Sequence, residues 1–360
     1  MKIYSESFRK WKFLLEAYQE KGDPVGESLY LNFNDSYAYF GNKDGFGRVK
    51  FYTEKELDTE VIPNFFISTT KFLNTATQYD YLNLNDSFLF TNGKDKFKIS
   101  TIVDDDKIDC SFLQNEVFAT QLTLQKDQLD LIVKALNFTS KDEPNVAYRN
   151  IFIQDKFICS LTSRTPLYES PISIEGDLFF SLNVAKTIIQ IGSIAEGCTV
   201  NTGNKNKKIV SRNGEFEIVV SSSSDVVFPD NRKDNFIKGY SYGTTLKVST
   251  DAFANTLASI APYFKDVVNS KILITLSDDI SFSVKDSSNE IERHMPFIEI
   301  DENLVGRSYA ISGTKIVQAL SVLKGKELFI ELPTNDTSPV VNFYNEKDSA
   351  HVVIQRFRND

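Results

Sequence analysis

The sequence predicts an α+β fold in which one unit, built of two helices on antiparallel sheets, occurs three times in tandem. The first observation is a recurrent segment: an apolar residue, then Ser or Asn, two residues, a lysine and a resumed apolar pattern, at 67–73, 182–188 and 311–317. The second is a further helical pattern ahead of each copy. The third is that the intervening sequence alternates with a period of two, as strands do.

Six helices follow from these patterns. Each recurrent segment opens with a residue suited to an N-cap, whose side-chain oxygen accepts hydrogen bonds from free N–H groups: Ser68, Asn183 and Ser312. The helices that they begin are predicted over 68–80, 183–193 and 312–325. The companion helices upstream are predicted over 5–21, 125–139 and 249–264.

Period-two alternation predicts about eight strands in each repeat. Examples are 29–33, 88–90, 97–102, 216–220, 272–276 and 351–354, with an Asn92-Gly93 turn. Changes of pattern near residues 120 and 245 predict three domains, 1–120, 121–244 and 245–360.

Composition excludes several classes of protein. The 360 residues include 40 basic and 49 acidic side chains, and a net charge of −9 argues against a nucleic-acid coat protein or a membrane-surface protein. Neither a secretory leader nor a run of 18 apolar residues is present, so we expect a cytoplasmic protein. Three cysteines without a C-x-x-C spacing and two histidines argue against a disulfide framework and a Cys- or His-rich metal centre. We expect no metal and no cofactor.

Positive charge is concentrated in the predicted helices. Over the helical segments with their flanking residues the formal charges sum to +6, which leaves −15 on the rest of the chain; the segments counted are 5–21, 68–80, 125–141, 183–193, 249–265 and 312–326. Lysine is a good helix former on any solvated face, and this alone is one explanation. The other is a basic surface that faces a polyanion. Lys71, Lys186 and Lys315 favour the second, because they lie in first helical turns, where the helix dipole disfavours a cation by about 0.3 kcal/mol or more.

Three local motifs carry a resemblance to a known family. Phe228-Pro-Asp-Asn-Arg232 resembles a Phe-Pro-Asp-x-Arg segment that closes the second domain of the bacterial-type DNA polymerase sliding clamp, the beta subunit of the replicase. Residues 160–167 stand in place of its Ala-Thr-Asp-Gly-His-Arg-Leu segment and retain Thr162 and Leu167. The end, His351 to Phe357, resembles its Tyr-Val-Val-Met-Pro-Met terminus. The similarity covers the whole chain in order.

The resemblance implies a head-to-tail homodimer that closes into a ring, with twelve helices around a hole and the sheets outside. Twelve helices packed about 10 Å apart leave roughly 28 Å clear, enough for duplex DNA. Diffuse attraction between lysines and phosphates, without base reading, then lets the ring slide. The residues implied to face DNA are Arg9, Lys10, Lys12, Lys71, Lys126, Lys134, Arg149, Lys186 and Lys315. The first helix of the third repeat offers only Lys265.

The family also has a pocket between the second and third repeats, where DNA polymerase, clamp loader and repair enzymes dock short peptides. The residues that match its lining are Thr162, Leu167, Phe228, Pro229, Lys233, Ile354 and Phe357. Lys315 matches a pocket position as well, and the threefold lysine pattern favours the pore for it. Arg164-Thr-Pro166 and Gln355-Arg356 replace Gly-His-Arg and Pro-Met, so we expect a more polar pocket. Such a pocket fits a phage or mobile-element clamp with its own polymerase.

A subunit interface is implied at an edge strand. Phe97 and Ile99 match the family positions that face a partner's third domain. Leu257 and Ile260, on a predicted helix, are the mates expected from the partner.

Two other classes of function stay open at this point. An enzyme has weak support: Asp104 to Asp106 suits a divalent cation but more often marks a solvated turn, and the glycines at 41, 45 and 47 lack the lysine and helix of a phosphate loop. Neither histidine has a recognisable catalytic setting. A structural or adhesion protein made of repeated β-domains is the second alternative. Only the clamp requires two helices in every repeat and a closed dimer.

Overall fold

The structure is a computed structural model of the chain. It describes residues 1–19, 22, 27–54, 62–85, 88–103, 117–162, 167–174, 176–203, 205–222, 226, 244–264, 271–285, 290–334, 339–346 and 349–357.

Six α-helices lie in the described residues, and each overlaps one predicted helix. They are α1 (Glu6–Ala17), α2 (Thr69–Ala76), α3 (Lys126–Leu136), α4 (Leu182–Ala195), α5 (Thr250–Ile260) and α6 (Gly313–Val322). The helix prediction is therefore confirmed: five helices lie up to four residues inside their predicted ends, and α4 begins one residue before and ends two residues beyond its predicted bounds.

The predicted capping hydrogen bonds are wrong. Ser68 and Ser312 occupy N-cap positions without a side-chain capping bond, and Asn183 lies inside α4. Each of these three helices follows directly on a strand, so the chain direction of the strand sets where the helix begins. The capping bond occurs instead at Ser249, whose hydroxyl accepts from the Ala252 N–H at 3.4 Å.

The chain forms two compact units. The first comprises Met1–Leu129 with Asn183–Ser224, and the second comprises Asp130–Leu182 with Asp225–Asp360. These units divide the middle predicted repeat, because strands pair across the predicted repeat boundaries. The three-domain boundaries stay a prediction.

The first unit holds two antiparallel sheets. The five-stranded sheet has the order β5 (Thr53–Glu54), β1 (Lys2–Tyr4), β7 (Tyr81–Leu84), β8 (Leu89–Asn92) and β9 (Asp95–Lys98). The nine-stranded sheet has the order β10 (Thr101–Val103), β6 (Phe65–Ser68), β2 (Ser28–Asn32), β3 (Tyr37–Asn42), β4 (Gly45–Lys50), β18 (Phe216–Ser221), β17 (Asn206–Ser211), β16 (Cys198–Thr202) and β11 (Thr120–Leu124). The single strand predicted over 97–102 is thus two strands in different sheets.

The second unit also holds two antiparallel sheets. Its nine-stranded sheet has the order β15 (Leu178–Ser181), β12 (Asn150–Gln154), β13 (Phe157–Ser160), β14 (Leu167–Pro171), β27 (His351–Gln355), β26 (Val340–Tyr344), β25 (Glu327–Leu332), β19 (Thr244–Ser249) and β23 (Glu299–Ile300). Its four-stranded sheet has the order β22 (Glu290–Met295), β21 (Ile280–Lys285), β20 (Lys271–Leu276) and β24 (Ser308–Ser312).

Aromatic side chains pack helices against the sheets in both units. In the first unit the Trp11 ring of α1 stacks on Phe216 at 4.5 Å, and Phe8 meets Phe72 of α2 edge-on at 4.9 Å. In the second unit Phe253 of α5 packs edge-on against a strand residue. Fully burying such a side chain contributes about 1.5–3 kcal/mol, so these contacts determine which face of each sheet the helices cover.

No helix in the residues listed above combines the length and the apolar character that crossing a membrane requires.

Candidate functional site

An apolar cluster lies where β14 pairs with β27 in the second unit, and Leu167 stands opposite Val353 in that pairing. We call it the junction cluster; its members are Cys159, Leu161, Leu167, Val340 and Val353, with half-buried Tyr148 packed against them.

The junction cluster lies on the sheet face away from the helices. The Ser160 hydroxyl donates to the Ala135 carbonyl oxygen of α3 at 2.8 Å, and the Tyr168 ring stacks on Phe138 at 5.2 Å. Because successive strand residues point to opposite faces, the neighbours of Ser160 and Tyr168 in the cluster point outward. The sheet face away from the helices, here called the outer face, therefore carries an apolar cluster where two strand groups distant in sequence pair with each other.

The structure gathers only part of the predicted pocket. Leu167 belongs to the junction cluster, and half-buried Thr162 adjoins Leu161 in the chain. Ile354 lies on the opposite face, fully buried in the core, and its neighbour Val353 takes its place in the cluster. The predicted pocket residues Phe228, Pro229 and Lys233 lie outside the described residues, as do Arg164 to Pro166.

The predicted pocket residue Phe357 anchors the end of the described chain. Its N–H donates to the Ala310 carbonyl oxygen at 2.8 Å, and the Lys271 ammonium lies 5.3 Å from the centre of its ring. These contacts hold the segment beside β24.

Sequence reasoning missed four members of the junction cluster and did not assign Tyr148 to the pocket. The signal was present for three of them. Period-two alternation along β27 places Val353 on the face opposite to Ile354, where it pairs with Leu167. Leu161 and Cys159 follow from the same alternation once β13 is paired with β14.

The three basic residues predicted on α1 already have partners in their own unit. Arg9 lies 3.4 Å from Asp80, Lys10 lies 2.9 Å from Glu215, and Lys12 donates to the Asn74 side chain at 2.8 Å. Lys12 also lies 3.8 Å from Glu16. Their charge is therefore largely compensated locally, although exposed pairs of this kind are worth only about 0–1 kcal/mol.

Other predicted DNA-facing lysines present uncompensated charge. Lys71, Lys126 and Lys186 are exposed and have no ion pair among the described residues. Lys134 is half-buried and likewise has no ion pair in that part of the chain.

Lys315 and Arg149 differ from these lysines. Lys315 is half-buried at the start of α6, and burial lowers the pKa of its ammonium. The threefold equivalence with Lys71 and Lys186 holds in sequence position but not in exposure. The Arg149 guanidinium donates to the Glu143 carbonyl oxygen at 2.6 Å and so helps to close its own turn. Lys265 lies outside the described residues.

The predicted interface residues have different environments. Phe97 lies on β9, the last strand of its sheet, half-buried with its ring 5.4 Å from Tyr79, and Ile99 follows the end of that strand and is buried. Leu257 and Ile260 belong to α5 and are 0% exposed, on the side of the helix that faces the core. Their assignment to a subunit interface stays a prediction.

The described residues contain no group of three or more His, Cys, Asp or Glu side chains arranged for a metal ion. Burial raises the pKa of the Cys198 thiol to about 12, which keeps it protonated and unreactive at neutral pH. The residues Asp104 to Asp106 and Cys110 lie outside the described part.

Gly47, one of the three glycines considered for a phosphate loop, has a structural explanation. It lies in β4, and a Cβ there would come 2.5 Å from the Glu217 carbonyl oxygen of β18. Close approach of two backbones therefore requires glycine at this position.

The sheet order and the helices define the fold of the bacterial sliding clamps. The chain matches the DNA polymerase III subunit beta of Pseudomonas aeruginosa with a TM-score of 0.81 over 100% of both chains, at 11% identity. It matches the Caulobacter crescentus pol III beta with a TM-score of 0.80 over 100% of both chains, at 11% identity. The Thermotoga maritima beta subunit gives 0.78 over 100% of this chain and 99% of its own, at 13% identity. No protein-family model and no curated protein sequence matches the chain.

Proposed function

We propose that this protein is a DNA polymerase processivity factor, a sliding clamp. The observation that carries the proposal is the full-length match to bacterial clamps, with a TM-score of 0.81 that includes every predicted repeat. Two copies join head to tail into a ring that encircles duplex DNA. The ring performs no chemistry and acts in the cytoplasm, where it holds a polymerase on its template.

Exposed lysines on the helices support the proposed contact with DNA. Lys71, Lys126 and Lys186 are exposed, have no ion pair among the described residues, and are few. A small number of dispersed cations gives weak binding without sequence preference, so enclosure and not affinity keeps the ring on DNA. The negative charge on the rest of the chain disfavours DNA binding to other surfaces of the protein.

The junction cluster supports a docking role for the outer face of the second unit. A peptide from the polymerase or from a clamp loader places an apolar side chain against Tyr148 and the buried residues behind it. Aromatic residues at the margin of a buried apolar centre are typical of interaction hot spots.

Primer extension tests the proposal. With a cognate clamp loader and DNA polymerase, we expect products on primed circular DNA to lengthen at least about tenfold, from slower polymerase release. The protein alone forms no nucleotide bonds. Unchanged product length with an active polymerase and a functioning loader would refute the proposed role.

A further inference from the structure

A row of four side chains crosses the outer face of the second unit, one from each of four neighbouring strands. Leu167 of β14 stands opposite Val353 of β27. Val353 also stands opposite Asn342 of β26, and Asn342 stands opposite Glu331 of β25. Residues directly opposite each other in a sheet share a face. The row therefore passes from the apolar junction cluster to an amide and then to a carboxylate.

The charged residues of these four strands are acidic. The strands contain three glutamates, Glu169, Glu327 and Glu331, together with the titratable His351, and they contain no lysine or arginine. By alternation along each strand all three glutamates lie on the outer face. Glu327 is paired with Lys247 of β19 at 2.9 Å. Glu331 has no ion pair among the described residues, so this part of the face keeps a negative charge.

The Asn342 side chain has an acceptor to spare. A carboxylate only accepts, so the amide nitrogen of Asn342 is the atom that faces Glu331, at 2.9 Å, and the same nitrogen donates to Nδ1 of His351 at 3.1 Å. The amide oxygen has no hydrogen-bond partner in the described part of the chain, although Asn342 is only 6% exposed. Buried acceptors of this kind are normally satisfied, so this oxygen calls for a donor from another molecule.

The Glu331 carboxylate also has acceptor capacity left. Its Oε1 accepts from the Tyr344 hydroxyl at 3.4 Å and its Oε2 from Asn342 at 2.9 Å. An ionised carboxylate offers about four acceptor sites, and both present donors are neutral groups. A ligand that brings several N–H donors and a positive charge would satisfy Glu331 and the Asn342 oxygen together.

We propose that Glu331 and Asn342, here called the cation subsite, bind the ammonium or guanidinium group of a lysine or arginine in the docking peptide of a partner protein. An apolar side chain of the same peptide covers Leu167 and Val353. This inference rests on the docking role in the proposed function and adds the chemistry of the partner. An acidic peptide or a nucleic-acid phosphate would meet the Glu331 carboxylate with like charge, so neither suits the subsite.

The row sets the spacing between the two peptide side chains. Strands lie about 4.8 Å apart, so the centre of the Leu167–Val353 pair lies about 10 Å from the centre of the cation subsite. In an extended peptide, residues i and i+2 point to the same side about 7 Å apart, and the long stem of lysine or arginine spans the rest. We therefore expect the cation two residues from the apolar anchor.

Two fluorescent peptides test the inference on the full chain. One is Gly-Lys-Ser-Leu-Phe-Ser-Lys-Gly, which places a lysine two residues from the apolar pair on either side, and the other has glutamate in place of both lysines. Fluorescence anisotropy at low salt should give a dissociation constant at least about tenfold lower for the lysine peptide. The Glu331→Lys variant should reverse this preference, because the subsite then carries the opposite charge. Circular dichroism checks that the variant is folded.

Further variants separate the subsite from the general negative charge of the protein. Glu331→Gln keeps the shape of the side chain and should bring the two dissociation constants to within about threefold of each other. Glu196→Gln removes an exposed glutamate after α4 in the first unit and should leave the preference unchanged. Tyr148→Ala should weaken both peptides alike, because they share the same apolar pair.

The outcomes distinguish this inference from the proposed function. Equal binding of the two peptides to the wild type overturns the cation subsite, and so does a folded Glu331→Lys variant that keeps the wild-type preference. Failure of both peptides to bind at about 1 mM overturns it as well. None of these results touches the sliding clamp, which primer extension overturns separately if products fail to lengthen.

Discussion

Leu167 and Val353 stand opposite each other across β14 and β27, although they come from different predicted repeats. Their pairing makes one nine-stranded sheet out of two strand groups, and the junction cluster forms on its outer face. A docking surface where β14 pairs with β27 needs both strand groups, so it forms only when the chain is folded.

Tyr148 should matter for partner docking more than for stability. Tyr148→Ala removes the half-buried ring at the margin of the junction cluster, and we expect the affinity for the polymerase to fall about tenfold or more. Surface plasmon resonance measures the affinity, and Tyr263→Ala, which removes an exposed ring after α5, is the matched control. Equal losses in the two variants would contradict a specific role for the cluster.

Exposed lysines should set the salt dependence of DNA binding. Lys71→Ala combined with Lys186→Ala is expected to reduce the slope of log K against log salt by about two, one for each lost phosphate contact. Fluorescence anisotropy with a short duplex at several salt concentrations gives the slope. Lys315→Ala should change it less, because Lys315 is half-buried. A larger change of the slope in Lys315→Ala than in the double variant would contradict the assignment of Lys71 and Lys186 to the DNA-facing surface.

Gly47→Ala should destabilise the first unit. The added methyl group meets the Glu217 carbonyl oxygen at 2.5 Å, and the pairing of β4 with β18 must open to admit it. We expect a loss of about 2–3 kcal/mol in the free energy of unfolding, measured by urea denaturation. Gly93→Ala, with a positive φ but open space, should cost about 1–2 kcal/mol. The prediction is wrong if Gly93→Ala is the more damaging change.

Tyr168 should make the protein sensitive to alkali. Burial raises the pKa of its hydroxyl to about 12, so the unfolded chain ionises first as pH rises. The contribution of this group to the free energy of unfolding is unchanged below about pH 10 and falls between about pH 10 and 12, with about 1.4 kcal/mol lost at pH 11. Urea unfolding of Tyr168→Phe at pH 8 and pH 11 should show a loss smaller by that amount. Identical losses in wild type and variant would contradict the assignment.

Local patterns predicted much of the fold. The helices α1 to α6 follow from apolar residues at helical spacing, and strands such as β18 and β27 follow from alternation, because both depend on near neighbours in sequence. The spacing of Phe253, Leu257 and Ile260 on α5 also indicates a core-facing stripe, so their burial was predictable.

Features that depend on distant contacts were not predictable. The half-burial of Lys315 depends on what packs around α6, and the partners of Arg9 and Lys10 come from other strands and turns. The two strands in place of one over 97–102 reflect a change of sheet, which alternation within one segment does not show. At Ser312 the hydroxyl lies 3.0 Å from the Thr314 hydroxyl and makes no capping bond, a contact that the helical pattern does not show.

Electron microscopy of the purified protein tests the central claim most directly. Class averages should show closed rings with twofold symmetry and a central hole roughly 28 Å wide, enough for a hydrated duplex. Monomers, or dimers without a hole at concentrations where sedimentation shows complete association, would contradict the account.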